Sequence, residues 1–265
     1  MILRELSDSG ITSLGIVTRQ NDTYAQSLSV LVQRRADLPG ITIAETPQFA
    51  DTAAIAGAAM AVVATPPDAV MFISSQVADA AAFLDAAAAI TGFDGVPIIL
   101  TDAAANEDLF DLVGAGAARF AQVRATRPAA PDTIITSEFR SAYMAANGGE
   151  DPLDFSFTAH TYDATALVLL GAGYALGVNE EIDGPGIAEG ILQMNGSGTA
   201  RELLPANFLS IIEELRRNPD GVDVVGASGP LDYGADEELS TALYDVLDID
   251  ETGPSFRVVR TRSPM

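Results

Sequence analysis

Polar side chains gather in the short stretches that follow four apolar runs of the sequence. These stretches are RQNDTY after residue 18, ETPQF after residue 44, SSQVAD after residue 73 and TDAAANED after residue 100. They offer hydroxyl, amide and carboxylate groups but no strong nucleophile, and this chemistry suits the binding of a small polar molecule. The candidate binding residues are Asn21, Asp22, Tyr24, Gln48, Ser74, Ser75, Gln76 and Asp102.

The residue types that the chain lacks exclude several reaction classes. It has no cysteine, and all 14 of its basic residues are arginine. Thiol catalysis, cysteine metal sites, a P-loop lysine and a lysine Schiff base are therefore excluded. The glycine motifs of dinucleotide-binding folds and of serine hydrolases are both incomplete.

Two further candidates for chemistry have simpler explanations. His160 is the single histidine and lies within a predicted helix, where a packing or capping role is favoured over a catalytic one. The segment DIDETG (248–253) begins like a calcium loop but has Val259 at the twelfth position, so it predicts a turn between strands. We expect no enzyme activity, no metal and no cofactor, although a pair of catalytic carboxylates stays open because acidic residues are abundant.

Each candidate binding residue also has a purely structural interpretation. Thr23 and Gln26 fit a T-x-x-Q capping box, so the start of a helix alone could account for Thr23 and for Asp22 before it. Binding and a structural role, as a helix cap or as a packed surface residue, are likewise both open for the other candidates. These candidates are Tyr24, Ser74, Ser75 and Asp102.

An alternation of short apolar runs with helical stretches positions these residues. Apolar runs of this kind predict a parallel sheet buried on both faces, with right-handed crossovers. Ligands bind beyond the carboxyl ends of such strands, so the polar stretches are expected to line one edge. The predicted strands are 14–18, 40–45, 69–74, 96–101 and 118–125, and the predicted helices are 23–36, 51–64, 77–90 and 106–113.

After Arg127 the sequence becomes mainly helical. Helices are predicted at 137–147, 157–176, 185–194 and 205–217, and strands return at 222–227, 242–249 and 255–261. The helix at 157–176 has apolar residues all round, which predicts burial on most sides, yet the block has no sheet large enough to bury it. We therefore expect an α/β lobe of residues 1–127 and 236–265, and a helical block of residues 128–235.

Charge and hydropathy restrict the partners. A formal net charge of −23 opposes binding to nucleic acid and to anionic lipid. The N-terminal MILRELSDSG has no apolar region of a signal peptide. The apolar run Ala164 to Val178 is shorter than the roughly 20 residues that a membrane span requires. We expect no nucleic-acid partner, no direct membrane insertion and no signal peptide in the chain as it stands.

Three segments, in this order, resemble the type I periplasmic solute-binding proteins, specifically the leucine/isoleucine/valine-binding family of ABC transporters. LGIVTRQNDTYAQSL (14–28) resembles the strand, turn and helix that open the family's second lobe. FTAHTYDATALVLLGAGYAL (157–176) resembles its YDA helix, and VVGASGPLDYGADEEL (224–239) resembles the element before its closing strands.

This resemblance implies an α/β fold of the type I periplasmic-binding-protein class. The parallel-sheet lobe would be complete, and the helical block would be the remainder of the other lobe. Family members begin with a further βα lobe and a signal peptide, so the chain is expected to be a truncated member or to have a misplaced start.

The resemblance also implies roles for single residues. Tyr24 matches a tyrosine that faces the cleft between lobes, and Asp102 matches an acidic residue that pairs with the ligand ammonium. Ser75 and Gln76 fall in the loop that covers the ligand. Ala25 departs from the family pattern, in which glycine is usual.

The implied function is that of an extracytoplasmic solute-binding protein in the periplasm or cell envelope. It would close on a branched-chain or related amino acid or amide and be recognised by a membrane permease. A ligand-sensing regulatory domain of the same fold is the alternative, and an enzyme that uses carboxylates at the same edge ranks third.

Overall fold

A mixed eight-stranded sheet forms the centre of the first of two units. The computed structural model describes residues 2–196, 199–218, 220–233 and 241–263. The strands are β1 (Ser13–Arg19), β2 (Thr42–Ile43), β3 (Gln48–Phe49), β4 (Ala69–Ile73), β5 (Ile98–Leu100), β6 (Val123–Ala129), β7 (Arg201–Glu202), β8 (Val224–Gly226), β9 (Gly229–Pro230), β10 (Leu243–Asp250) and β11 (Ser255–Arg262). The helices are α1 (Ile2–Asp8), α2 (Thr23–Arg35), α3 (Ile55–Val62), α4 (Val77–Ala88), α5 (Asp108–Leu112), α6 (Ile134–Ala146), α7 (Thr158–Asn179), α8 (Gly184–Leu192) and α9 (Phe208–Leu215).

The chain divides into one unit of Met1–Arg127 with Tyr244–Ser263 and a second unit of Pro128–Leu243. The predicted second boundary, between residues 235 and 236, lies outside the described residues.

The order of strands in the first unit brings the polar stretches together. The sheet runs β11-β10-β6-β5-β4-β1-β2, and β3 also pairs with β1. The pairs β1–β4, β4–β5 and β5–β6 are parallel, whereas β10 and β11 are antiparallel. Because β1, β4 and β5 are neighbours with the same direction, the residues that follow them lie side by side at one edge, which we call the rim.

Apolar side chains bury this sheet on both faces. One core cluster joins Val17, Phe72 and Leu100 of the strands to helices α3 and α4. The other joins Ile16 and Met71 to helices α1 and α2. Such two-sided burial is what the uninterrupted apolar strands predict.

The second unit packs α7, α8 and α9 around a three-stranded sheet in the order β7-β8-β9. Leu167, Leu170 and Tyr174 of α7 point into this core, but Val168 and Leu169 on its other side are 49% and 57% exposed. The helix is buried where it faces α8 and α9, and the apolar residues on its remaining side stay exposed, as expected of a block without a sheet large enough to cover them. By length and composition α7 could cross a membrane, a test that core helices of soluble proteins also pass.

One predicted element of the first unit is placed wrongly. Residues 118–125 were expected to form the fifth strand, but a 3-10 helix occupies Ala115–Gln122 and β6 begins at Val123. The side chain of Arg119 turns inward and donates to the carbonyl oxygens of Phe93 and Ile90 and to Asp94. These bonds hold the segment in a helical turn that its apolar residues alone do not indicate.

Candidate functional site

Tyr24 and Asp102 form the central pair of the rim. Tyr24 lies in the first turn of α2, Asp102 follows β5, and the Tyr24 hydroxyl donates a hydrogen bond of 2.7 Å to Asp102 Oδ1. Burial raises the pKa of Asp102, although the bond from Tyr24 opposes this. Burial and the neighbouring carboxylate raise the pKa of Tyr24. The pair is thus a poorly hydrated anionic site, which a cation would stabilise.

Asp22 joins two of the rim loops. It is the N-cap of α2, and its carboxylate accepts from the backbone N–H of Ala25 at 3.1 Å and of Ser75 at 2.7 Å. Burial alone would raise the pKa of Asp22, but the bonds from Ser75 and Ala25 and the Arg19 charge lower it below its ordinary value. Both carboxylate oxygens serve the backbone, so Asp22 holds the rim together.

The expected T-x-x-Q capping box is not formed. Thr23 is the first residue inside α2 and not its cap. The Gln26 amide donates to the carbonyl oxygen of Arg19 at 2.7 Å instead of reaching back to the cap. The box is wrong because the helix begins one residue earlier than the box requires, and the Asp22 carboxylate, on an extended cap residue, already accepts the capping bond from Ala25.

A buried polar network supports the rim from below. The Ser74 hydroxyl donates to Asp79 Oδ2 at 2.7 Å, and Thr52 donates to Asp79 Oδ1 at 3.0 Å. Arg19, at the end of β1, forms an ion pair with the same carboxylate. Ser74 is 2% exposed and its hydroxyl serves this network, so ligand binding by Ser74, as by Asp22, stays a prediction beside a structural role that the hydrogen bonds show.

Sequence reasoning missed Arg19 and Asp79. The signal in the sequence was Asp79, an acidic residue on the apolar side of the alanine-rich helix α4. A buried carboxylate is costly unless a partner pairs with it, so a buried partner such as Arg19 was to be expected.

The remaining candidates are exposed side chains on the rim. The Gln76 amide donates to the Ser75 hydroxyl at 3.2 Å, and the Gln48 amide donates to Gln26 at 3.4 Å. Asn21 adopts a left-handed backbone conformation with φ 55°, which asparagine tolerates well in turns. The Ser75 N–H donates to Asp22, the N-cap of the helix that carries Tyr24, and this bond joins the loop of Ser75 and Gln76 to that helix.

In the second unit, two of the motifs that carry the family resemblance contact each other. Asp163 of the YDA helix accepts hydrogen bonds from the N–H of Ala227 and of Ser228 and from the Ser228 hydroxyl, at 2.6–2.8 Å. A Cβ atom on Gly226 would lie 2.3 Å from Asp163, so only glycine fits there. These residue types serve the packing of the second unit. Residues 234–239 of the third motif lie outside the described part of the chain.

Other places in the described residues offer less chemistry. The single histidine, His160, lies against the Phe157 ring, and burial lowers its pKa. Within the described ranges no group of three or more histidine or acidic side chains is arranged to hold a metal. A cleft of about 340 Å³ in the second unit contains none of the predicted site residues and is lined by Phe139, Tyr143, Ser156, Thr158, Thr161, Tyr162 and Thr165.

Known proteins match this chain in fold but not in sequence. No family model and no curated protein matches the sequence. Solved structures do match, among them an extracellular ligand-binding receptor from Rhodopseudomonas palustris HaA2, at 17% identity and a TM-score of 0.69, over 98% of this chain and 66% of that one. A leucine binding protein LivK from Thermotoga maritima MSB8 matches at 17% identity and a TM-score of 0.66, over 97% of this chain and 64% of that one.

A third solved structure of the same fold is described with a ligand. It is an ABC transporter solute-binding protein from R. palustris in complex with benzoate, at 14% identity and a TM-score of 0.62, over 99% of this chain and 61% of that one. The chain therefore spans less than two thirds of the length of these proteins. The resemblance inferred from the sequence is confirmed at the level of the fold, which is the type I periplasmic-binding α/β fold.

Proposed function

We propose that this chain, with its type I periplasmic-binding fold, acts as an extracytoplasmic solute-binding protein of an ABC transporter. Its ligand would be a branched-chain or related amino acid or amide, and its partner the membrane permease. The observation that carries the proposal is the half-buried Tyr24–Asp102 pair at the carboxyl edge of a parallel sheet. Ser75 and Gln76 would cover the ligand from the neighbouring loop.

The chemistry of the pair favours a ligand that carries an amine. A carboxylate accepts several hydrogen bonds and pairs well with a cation, so an ammonium group is the ligand group that Asp102 would best accept. A charge-assisted bond to an ammonium group contributes about 1.5–3 kcal/mol. A micromolar dissociation constant requires about 8 kcal/mol, so the rim of the first unit by itself supports only weak binding.

The proposal is tested by nuclear magnetic resonance on the ¹⁵N-labelled 265-residue chain, titrated with L-leucine and with its deaminated analogue 4-methylpentanoate. We expect L-leucine to shift the amide signals of Tyr24, Ser75, Gln76 and Asp102, with an apparent dissociation constant in the millimolar range or weaker. The analogue should leave these signals in place, because it lacks the ammonium group.

Two variants complete this experiment. Asp102→Asn should abolish the leucine-dependent shifts, whereas Asp37→Asn, in the exposed turn after the far end of α2, should not change them. Identical responses to the two compounds, or a full response in Asp102→Asn, would refute an amine-binding rim. A micromolar affinity for leucine would refute the estimate that this rim binds weakly.

A further inference from the structure

The cleft of the second unit brings three aromatic rings together between α6 and the start of α7. Phe139 and Tyr143 lie one turn apart on α6, and their ring centroids are 6.0 Å from each other. The Phe139 centroid is 5.0 Å from that of Tyr162 on α7. All three residues line the cleft, whose volume is about 340 Å³. Ligand pockets usually span about 300–1,000 Å³, so this cleft, which we call the aromatic cleft, has room for a small molecule.

Three hydroxyl groups of the aromatic cleft give their protons to the backbone. The Tyr162 hydroxyl donates to the carbonyl oxygen of Leu203 at 3.0 Å. The Thr165 hydroxyl donates to the carbonyl oxygen of Thr161 at 2.8 Å, and the Thr158 hydroxyl also donates to backbone carbonyl oxygens. An anionic ligand accepts protons from its site, so these hydroxyl groups do not favour an anion.

The segment that forms the aromatic cleft is acidic. Residues 130–165 contain six acidic residues and one basic residue, Arg140. Arg140 forms an ion pair with Asp151, in which Nε donates to Oδ1 at 3.0 Å, so its charge is balanced. Burial, and after it the charges of neighbouring carboxylates, Glu138 among them, raise the pKa of the Tyr162 hydroxyl. The negative charge around the rings therefore favours a positively charged ligand.

We propose that the aromatic cleft binds a small organic cation of the quaternary ammonium class. The faces of aromatic rings are electron-rich and attract a cation that lies within about 6 Å of the ring centroid. A quaternary ammonium group carries no N–H donor, so it needs no hydrogen-bond acceptor from the walls of the cleft. The carboxylates of residues 130–165 supply the opposite charge. This site belongs to the second unit and does not rest on the function proposed for the rim.

Choline and its neutral carbon analogue 3,3-dimethylbutan-1-ol have the same shape and differ in charge, so the pair tests this inference on the ¹⁵N-labelled chain. Choline chloride should shift the amide signals of Tyr143, Thr161 and Thr165, and the neutral analogue should bind about tenfold more weakly. Sodium chloride at the same concentrations should not reproduce these shifts. The variant Asp102→Asn, changed at the rim, should respond to choline at these three signals as wild type does, and this separates the aromatic cleft from the proposed function.

Two variants remove one ring each and keep an apolar side chain on α6. Phe139→Leu and Tyr143→Leu should each weaken choline binding about fivefold and leave the binding of the neutral analogue unchanged. Phe208→Leu, at a ring of α9 that packs against another core cluster, is the matched control and should bind choline as wild type does. Equal binding of choline and its analogue to wild type, the same shifts with sodium chloride, or no shift with choline would each overturn the proposal. Unchanged choline binding in both α6 variants would also overturn it, and the comparison on wild type stands even where a variant fails to fold.

Discussion

Three carboxylates at the rim have different surroundings, and these decide what each can do. Asp22 gives both oxygens to backbone N–H groups, and Asp79 is enclosed by Arg19, Ser74 and Thr52. Asp102 is half-buried beside Tyr24, and its pKa is raised where that of Asp22 is lowered. When neighbouring carboxylates have pKa values shifted in opposite directions, one of them often binds a ligand while the other has a structural role.

The raised pKa of Asp102 predicts a pH dependence with opposite signs for stability and for binding. Without ligand, ionisation of a buried carboxylate disfavours the folded state, so its contribution is full below the unfolded pKa and is lost as pH rises through the folded pKa. An ammonium ligand needs the ionised form. Affinity for L-leucinamide, a cation without a carboxyl group, should therefore fall on acidification already at pH values above the ordinary aspartate pKa of 3.8.

This dependence is measured by titrating L-leucinamide into wild type and Asp102→Asn at a series of pH values. The variant has no carboxylate at this position, so no pH-dependent binding should be measured for it over the same range. A wild-type affinity that stays constant down to pH 3.8 would show that Asp102 does not carry the binding.

Among the helices and strands, the sequence predicts correctly those whose positions depend on short-range patterns of apolar residues. Strands β1 and β4 and helices α2 and α4 lie where apolar runs and helical spacing place them. The error at residues 118–125 has a non-local cause, because Arg119 is held by carbonyls of the loop after α4. The rim could be predicted as a set of loops because the alternation of strands and helices indicates which loops share an edge of the sheet. Its internal bonds could not be predicted, because a bond such as that from Ser75 to Asp22 joins residues 53 apart in the sequence.

The segment that replaced the expected strand depends on close packing against α4. A Cβ atom on Gly116 would lie 2.6 Å from the Leu84 carbonyl carbon and 2.7 Å from the Asp85 nitrogen. Since backbone must move to make room, Gly116→Ala should lower the free energy of unfolding by about 1–3 kcal/mol. Gly57→Ala, in open space within α3, should raise it by about 0.5–1 kcal/mol because alanine favours helix.

Urea unfolding followed by circular dichroism compares the two glycine variants with wild type. Opposite changes in the unfolding midpoint support the packing assigned to the 3-10 segment. Equal changes in the two variants would mean that α4 does not touch Gly116 as described.

At the scale of the whole molecule, two surface properties have opposite effects on the association of copies of the chain. The formal net charge of −23 makes copies of the chain repel one another at low ionic strength. The outer side of α7 carries Val168, Leu169 and Leu176 at 49–57% exposure, an apolar stripe with helical spacing. Apolar stripes of this kind drive association once repulsion is screened.

We therefore expect the 265-residue chain to bind the dye ANS and to associate increasingly as salt is added. Raising ionic strength from 0.01 to 1 M shortens the Debye length from about 30 Å to about 3 Å, which removes the repulsion between copies but not the apolar attraction. Sedimentation velocity and ANS fluorescence measure the two effects across this range. Leu169→Gln interrupts the stripe and should reduce both, whereas Leu38→Gln, at an exposed leucine of the first unit outside the stripe, should reduce neither. A monodisperse chain that ignores the dye at every salt concentration would show that this side of α7 is not accessible in solution.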